Sequence, residues 1–175
     1  MFLATLNTDF NGYVLFDPET LRAALNRRPV DDEDLYRLFT TTEDGDRVLN
    51  SGAMVPILGV TDGSYPVCVR ESATPSPFVS LDLLASNSLF PLHIKSRAFV
   101  ADLAVLASWK EGLDWHAVDL PPGYYAVDLL GYRKMAGLTI VDCGYEFVAT
   151  RAPELPRLTA DLNKFIDLGN PERDG

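Results

Sequence analysis

The sequence predicts a mainly β, α+β fold: an antiparallel β-sandwich or open barrel carrying two to four short helices. Three observations lead there. Short apolar runs rich in Val, Leu, Tyr and Phe recur along the chain. Turn-forming pairs bound them at close intervals: Asn11-Gly12, Asp62-Gly63, Pro122-Gly123 and Ala136-Gly137. No long helical period alternates with these runs, which argues against a parallel α/β sheet. At 175 residues the chain has the length of one domain, 1–175, able to bury a core without metal or disulfide staples.

Taken in order, "FLATLNTDFNGYVLFD" reads as two strands joined by a hairpin at Asn11-Gly12. Asp17-Pro18 marks a helix start, because proline at the first helical position lacks only an N–H that would be unpaired anyway. That helix carries Leu21 and Leu25 on one face and ends before Pro29. "VDDEDLYRLFTT" forms a second brief helix, its acids near the N-terminal end of the dipole. "TTEDGDR" reads as a polar loop. "VLNSGAMVPILGVTDGSYPVCV" is a pair of strands around a hairpin at Thr61-Asp62-Gly63, and the prolines of "ATPSP" make a loop.

"FVSLDLLASNSLFPLHI" gives one or two further strands. "SRAFVADLAVLASWKEG" is read as a strand to about Asp102, then a helical turn to Trp109. "DWHAVDL" is a strand, and "YYAVDLLGYR" and "LTIVDCGYEFVAT" follow as two more around Ala136-Gly137. In the last of these Val141, Cys143, Tyr145, Phe147 and Ala149 share one face, with Asp142 and Glu146 on a wet one. A closing helix is expected from about Leu158, apolar at Leu158, Leu162, Phe165 and Ile166 and stopped by Gly169. Residues 170–175 read as a loose tail.

The stretches from Val60 and Asp119 repeat Gly-x-Tyr-x-Val-x-Val/Leu: Gly63, Tyr65, Val67, Val69 against Gly123, Tyr125, Val127, Leu129. Glycine after a turn residue, then apolar side chains at period two, is what a strand needs as it leaves a tight turn. The pattern is therefore a structural corner and not a repeated binding site.

Fifteen basic against twenty-five acidic residues give a net charge of −10. That charge opposes binding to a nucleic-acid backbone or an anionic membrane surface and suits a basic protein partner. The start of the sequence lacks the basic flank and apolar stretch of a secretory signal, so a cytoplasmic location is the default expectation. Cys68 and Cys143 lie in apolar runs and read as buried thiols.

Chemistry-bearing motifs are sparse. Asp114, His116 and Asp119 form the best ionisable cluster, a possible pocket for a small-molecule-binding or hydrolytic protein. The other histidine, His93, is distant in sequence, and no metal or cofactor is expected. Asp31, Asp32, Glu33, Asp34, Glu43, Asp44 and Asp46 put seven acids into sixteen positions with only Arg37 between. Their plainer reading is a solvated helix start and loop. Their functional reading is an acidic patch that meets a basic groove.

"NSGAMVPILGVTDGSYPVCV" and "VDLPPGYYAVDLLGY" are similar to stretches of small bacterial proteins encoded beside polymorphic toxins. The likeness runs from Tyr13 to Val148, and the chain thereby resembles immunity proteins. What the resemblance implies is a non-catalytic cytosolic protein that occludes a toxin's active site, the toxin domain being the basic partner. It assigns no site residues. A structural subunit of a bacterial or phage assembly is the remaining expectation.

Overall fold

A computed structural model describes residues 1–169. The expected tail at 170–175 lies outside the described residues. Among the described residues nine strands and four short helices follow one another. They are β1 (Phe2–Thr8), β2 (Gly12–Phe16), α1 (Pro18–Leu25), α2 (Leu35–Thr41), α3 (Asp44–Asn50), β3 (Met54–Leu58) and β4 (Gly63–Glu71). Then come β5 (Asp82–Ile94), β6 (Ala98–Asp102), α4 (Ala104–Ala107), β7 (His116–Val118), β8 (Gly123–Ala136) and β9 (Thr139–Ala152). They build two sheets, ordered β1-β4-β9-β8-β5 and β3-β2-β6-β7. All pairs are antiparallel except β4–β9, which is parallel. No helix among the described residues is long and apolar enough to cross a membrane.

The strand β2 explains the layering. Its run Tyr-Val-Leu-Phe is apolar without alternation, the signature of a strand buried on both faces. Tyr13 and Leu15 enter the core between the sheets, whereas Val14 and Phe16 enter a second core beneath the helices. Each such side chain gives roughly 1.5–3 kcal/mol on burial. The result is three layers: five strands, four strands, helices.

The helix start at Asp17 is as expected, and it does more than cap. Asp17 is fully buried. Its Oδ1 accepts the backbone N–H groups of Glu19 (2.7 Å) and Thr20 (3.0 Å). Its Oδ2 accepts those of Lys95 (2.9 Å), Ser96 (2.9 Å) and Arg97 (3.1 Å), in the turn between β5 and β6. One carboxylate thus ties the helical layer to a sheet connection.

Four expectations are corrected. The turns at Asn11-Gly12 and Asp62-Gly63 are not hairpins but corners at which the chain leaves one sheet for the other. β1 pairs with β4, and β2 pairs with β3 and β6. An Asn-Gly or Asp-Gly pair sets local backbone conformation, and burial decides which strands meet. "TTEDGDR" is not all loop, because α3 begins at Asp44. A Cβ at Gly45 would lie 2.0 Å from the Phe39 carbonyl oxygen, so this glycine permits close packing of α3 on α2 and is no turn signal.

The closing helix is absent as well. Between Leu155 and Leu168 the chain runs without regular structure along the open side of the sandwich between β5 and β3. Thr159 N–H donates to Leu89 O (3.3 Å) and Ile166 N–H to Leu58 O (3.0 Å). Asn87 and Asp161 exchange two bonds at 2.8 and 3.1 Å. Ile166 and Leu168 enter the inter-sheet core, while Leu162 and Phe165 stay exposed. Burial at every second residue is the mark of extended chain.

Finally, the outer face of β9 is not wet at Glu146, which is fully buried. Arg70 grips it through Nε–Oε1 (2.8 Å) and Nη2–Oε2 (3.2 Å), and Tyr132 Oη donates to Oε2 (3.1 Å). Phe78, in the connection between β4 and β5, stacks near Tyr132 at 5.5 Å.

The repeated Gly-x-Tyr pattern does mark corners. Tyr65 Oη donates to Thr61 O at 2.8 Å and Tyr125 Oη to Pro121 O at 2.7 Å, each four residues back. Both hydroxyls pin the turn that precedes their strand. Positive φ is needed at Gly123 (150°) but not at Gly63.

Candidate functional site

The seven acids of the run divide. Asp34 caps α2, accepting Arg37 N–H at 2.8 Å. Glu33 pairs with Arg27 and accepts Val30 N–H at 3.0 Å. The Arg27 guanidinium holds the Glu33 carboxyl below its ordinary range. A group so lowered stabilises the fold above the ordinary carboxylate range and loses that contribution as pH falls through its folded value. Asp32 accepts Ser108 Oγ (3.2 Å) and faces Lys110 Nζ (3.4 Å). Its backbone N–H donates to Trp109 O (2.7 Å), and Trp109 N–H donates to Glu33 O (3.0 Å). Asp44 pairs with Arg47 at 2.9 Å.

Four of the seven carboxylates therefore serve as a cap or in ion pairs, and the backbone of Asp32 and Glu33 clamps the α1–α2 loop to Trp109. Asp31, Glu43 and Asp46 are exposed.

The second cluster divides too. Asp114 and His116 line a cleft of about 510 Å³, together with Thr5, Asn7, Asp9 and Lys110. Asp119 is exposed and does not line it. The cleft lies on the side of the sandwich opposite the closing segment, between the outer edge of β1 and the α4–β7 connection. His116 sits at the start of β7, across from Val100, with its ring 6.1 Å from that of Phe2.

His93 is elsewhere, stacked on Tyr124 at 4.5 Å, and burial pushes its pKa down. Among the described residues no three His, Cys, Asp or Glu side chains are grouped to hold a metal.

Asp102 belongs to the cleft and was not singled out by sequence. It sits at the end of β6, where Oδ2 accepts Asp9 N–H (2.8 Å) and Oδ1 accepts Ala104 N–H (2.9 Å) and Thr8 Oγ1 (3.3 Å). The carboxylate holds the corner after β1 to the start of α4. Its sequence signal was an Asp two residues before a helix, a pattern shared with many unremarkable turns.

Cys68 is buried and Cys143 half-buried, and both are free thiols. Burial foremost, and then the nearby Glu146 charge, pushes Cys68 up to about 12. Treatment of the native protein with iodoacetamide at about pH 8 is expected to leave Cys68 unmodified, since the thiolate is the nucleophile. Peptide mapping by mass spectrometry reads this. Modification of Cys68 as fast as in the unfolded chain would contradict its burial.

The fold that carries these features is a mainly β, α+β sandwich with one helical layer. No family model matches the chain, and no curated protein matches it. Among solved structures it is similar to a protein described as "Crocagin biosynthetic gene J". The identity is 18%, over 85% of this chain and 95% of that one, with a TM-score of 0.48. Nothing about function is carried from that protein to this one.

Proposed function

We propose that the protein is a non-catalytic binding protein, an immunity-type inhibitor that docks on a cognate toxin domain and occludes its active site. The observation that supports this most directly is a projecting ribbon. β9 pairs with β4 only over Tyr145–Ala149, and β8 pairs with β5 only as far as Arg133. Residues 134–141 therefore extend beyond the paired part of the sheet as a two-stranded arm.

A lone hairpin in water is marginal, and one tipped with apolar side chains gains by being covered. Leu138 at its tip is 84% exposed, and Met135 and Val141 are exposed on its two strands. Leu83 and Leu84 add exposed apolar surface on β5, with Leu83 opposite Tyr132. The net charge of −10 favours the approach of a basic partner to the molecule as a whole.

The test is a tagged capture from source-cell lysate, washed at high salt and read by mass spectrometry, for the natural chain and for Leu138→Asp. One stoichiometric partner is expected to survive the wash with the natural chain. It should be lost with the variant, whose fold is unaffected because the tip packs on nothing. Recovery of the protein alone in both arms, or the same partner in both, overturns the assignment.

A further inference from the structure

The two sheets have four outer strands, and they are treated unequally. The edges of β5 and β3 are covered by the segment from Leu155 to Leu168, which takes Leu89 O and Leu58 O. β7 has only three residues. β1 has seven, pairs with β4 alone, and keeps register through seven residue pairs without a bulge. No backbone bond of a turn or loop among the described residues reaches it. Edge strands are normally blunted by lysine, proline or a bulge. "FLATLNT" has none of these.

The direction of the free groups follows from one residue. Thr5 lies opposite Pro66. Proline has no N–H, so in an antiparallel ladder it fits where the two residues do not exchange hydrogen bonds. At such a pair the partner's N–H and C=O point the other way. Thr5 therefore turns both backbone groups outward, and by alternation Leu3 and Asn7 do the same. Thr5 and Asn7 line the cleft. Its floor is thus a strand edge with open hydrogen-bonding groups, and its walls carry charge. Asp9, Asp102 and Asp114 line it with His116 and one lysine, Lys110, which leans toward Asp32.

We propose that this edge receives an extended peptide segment bearing a Lys or Arg side chain, which adds beside β1 as a sixth strand and places its basic group in the cleft. Main-chain bonds to Thr5 and Asn7 supply affinity, and the acidic wall supplies selectivity. The added strand lies about 4.8 Å from β1, with alternate side chains turned to one face. The site is separate from the projecting ribbon, and neither assignment rests on the other.

The probe is acetyl-Thr-Val-Arg-Val-Thr-amide, titrated into the full chain and followed by amide hydrogen exchange in NMR. Saturable binding is expected, with exchange at Thr5 and Asn7 slowed by about tenfold or more. A peptide with Glu for Arg is expected to bind about tenfold more weakly. Thr5→Pro removes one outward N–H without touching the β1–β4 ladder and should abolish binding. Should that variant not fold, an N-methylated probe makes the same test on the unaltered protein, and it should not bind.

Unchanged exchange at Thr5 and Asn7, or equal affinity for the Arg and Glu peptides, overturns the proposal. N-acetyl-arginine amide binding as tightly as the peptide would assign the cleft to a small cationic ligand instead. Protection of β1 without peptide, rising with protein concentration, would assign the edge to a second copy of the chain.

Discussion

Asp17→Ala is expected to destabilise the protein by about 4 kcal/mol or more, a large fraction of the stability of an ordinary domain. Five backbone N–H groups converge on its two oxygens. Each donor left buried without a partner costs roughly 1–3 kcal/mol, and Thr20 in the first helical turn is itself buried. Asp17→Asn separates the two halves of the role. Its remaining oxygen still caps α1, which restores about 1 kcal/mol, but its NH₂ then faces the three donors of the β5–β6 turn. Chemical denaturation of the three proteins reads this order directly. An Asn variant as stable as the natural chain would show that Oδ2 and its three donors do not matter.

Arg70→Ala is expected to cost about 3–5 kcal/mol, because it leaves the buried Glu146 carboxylate without its cationic partner, held only by Tyr132 and the neighbouring Cys68 thiol. The pair lies beneath the connection between β4 and β5, with the Arg70 side chain 11% exposed and that of Glu146 fully buried. The double substitution Arg70→Met, Glu146→Leu is expected to regain most of that loss, since it removes the desolvated charge along with its partner. A double-mutant cycle by urea unfolding measures the coupling. A loss below about 1 kcal/mol for Arg70→Ala would mean that the carboxylate is satisfied otherwise.

The class of the fold was legible because strand burial leaves a trace in composition. Continuous apolar residues in "GYVLF" announce a strand covered on both sides, and the change from strand to helix after Asp102 falls where it was expected. Connectivity was not legible. Asn11-Gly12 and Asp62-Gly63 have hairpin chemistry, yet they turn corners, because a turn's backbone angles do not encode which strand lies beyond it.

The segment after Leu158 misled differently. Leu158, Leu162, Phe165 and Ile166 satisfy a helical period, while burial follows Ile166 and Leu168 along extended chain. Two of the three residues proposed for a pocket, Asp114 and His116, do meet in the cleft. The parts of that cleft invisible beforehand were Asp102 and the outward groups of β1. Finding them needs the register of Thr5 on Pro66, a pairing between residues far apart in the chain.

The closing segment follows all nine described strands in the chain, so a sandwich assembled before it docks has β5 and β3 uncovered and lacks Ile166 and Leu168 in its core. Such a state carries four bare edges where the finished protein carries two, one of them only the three residues of β7. Unpaired strand edges and open apolar surface invite aggregation and chaperone capture, and docking of the segment removes half of those edges.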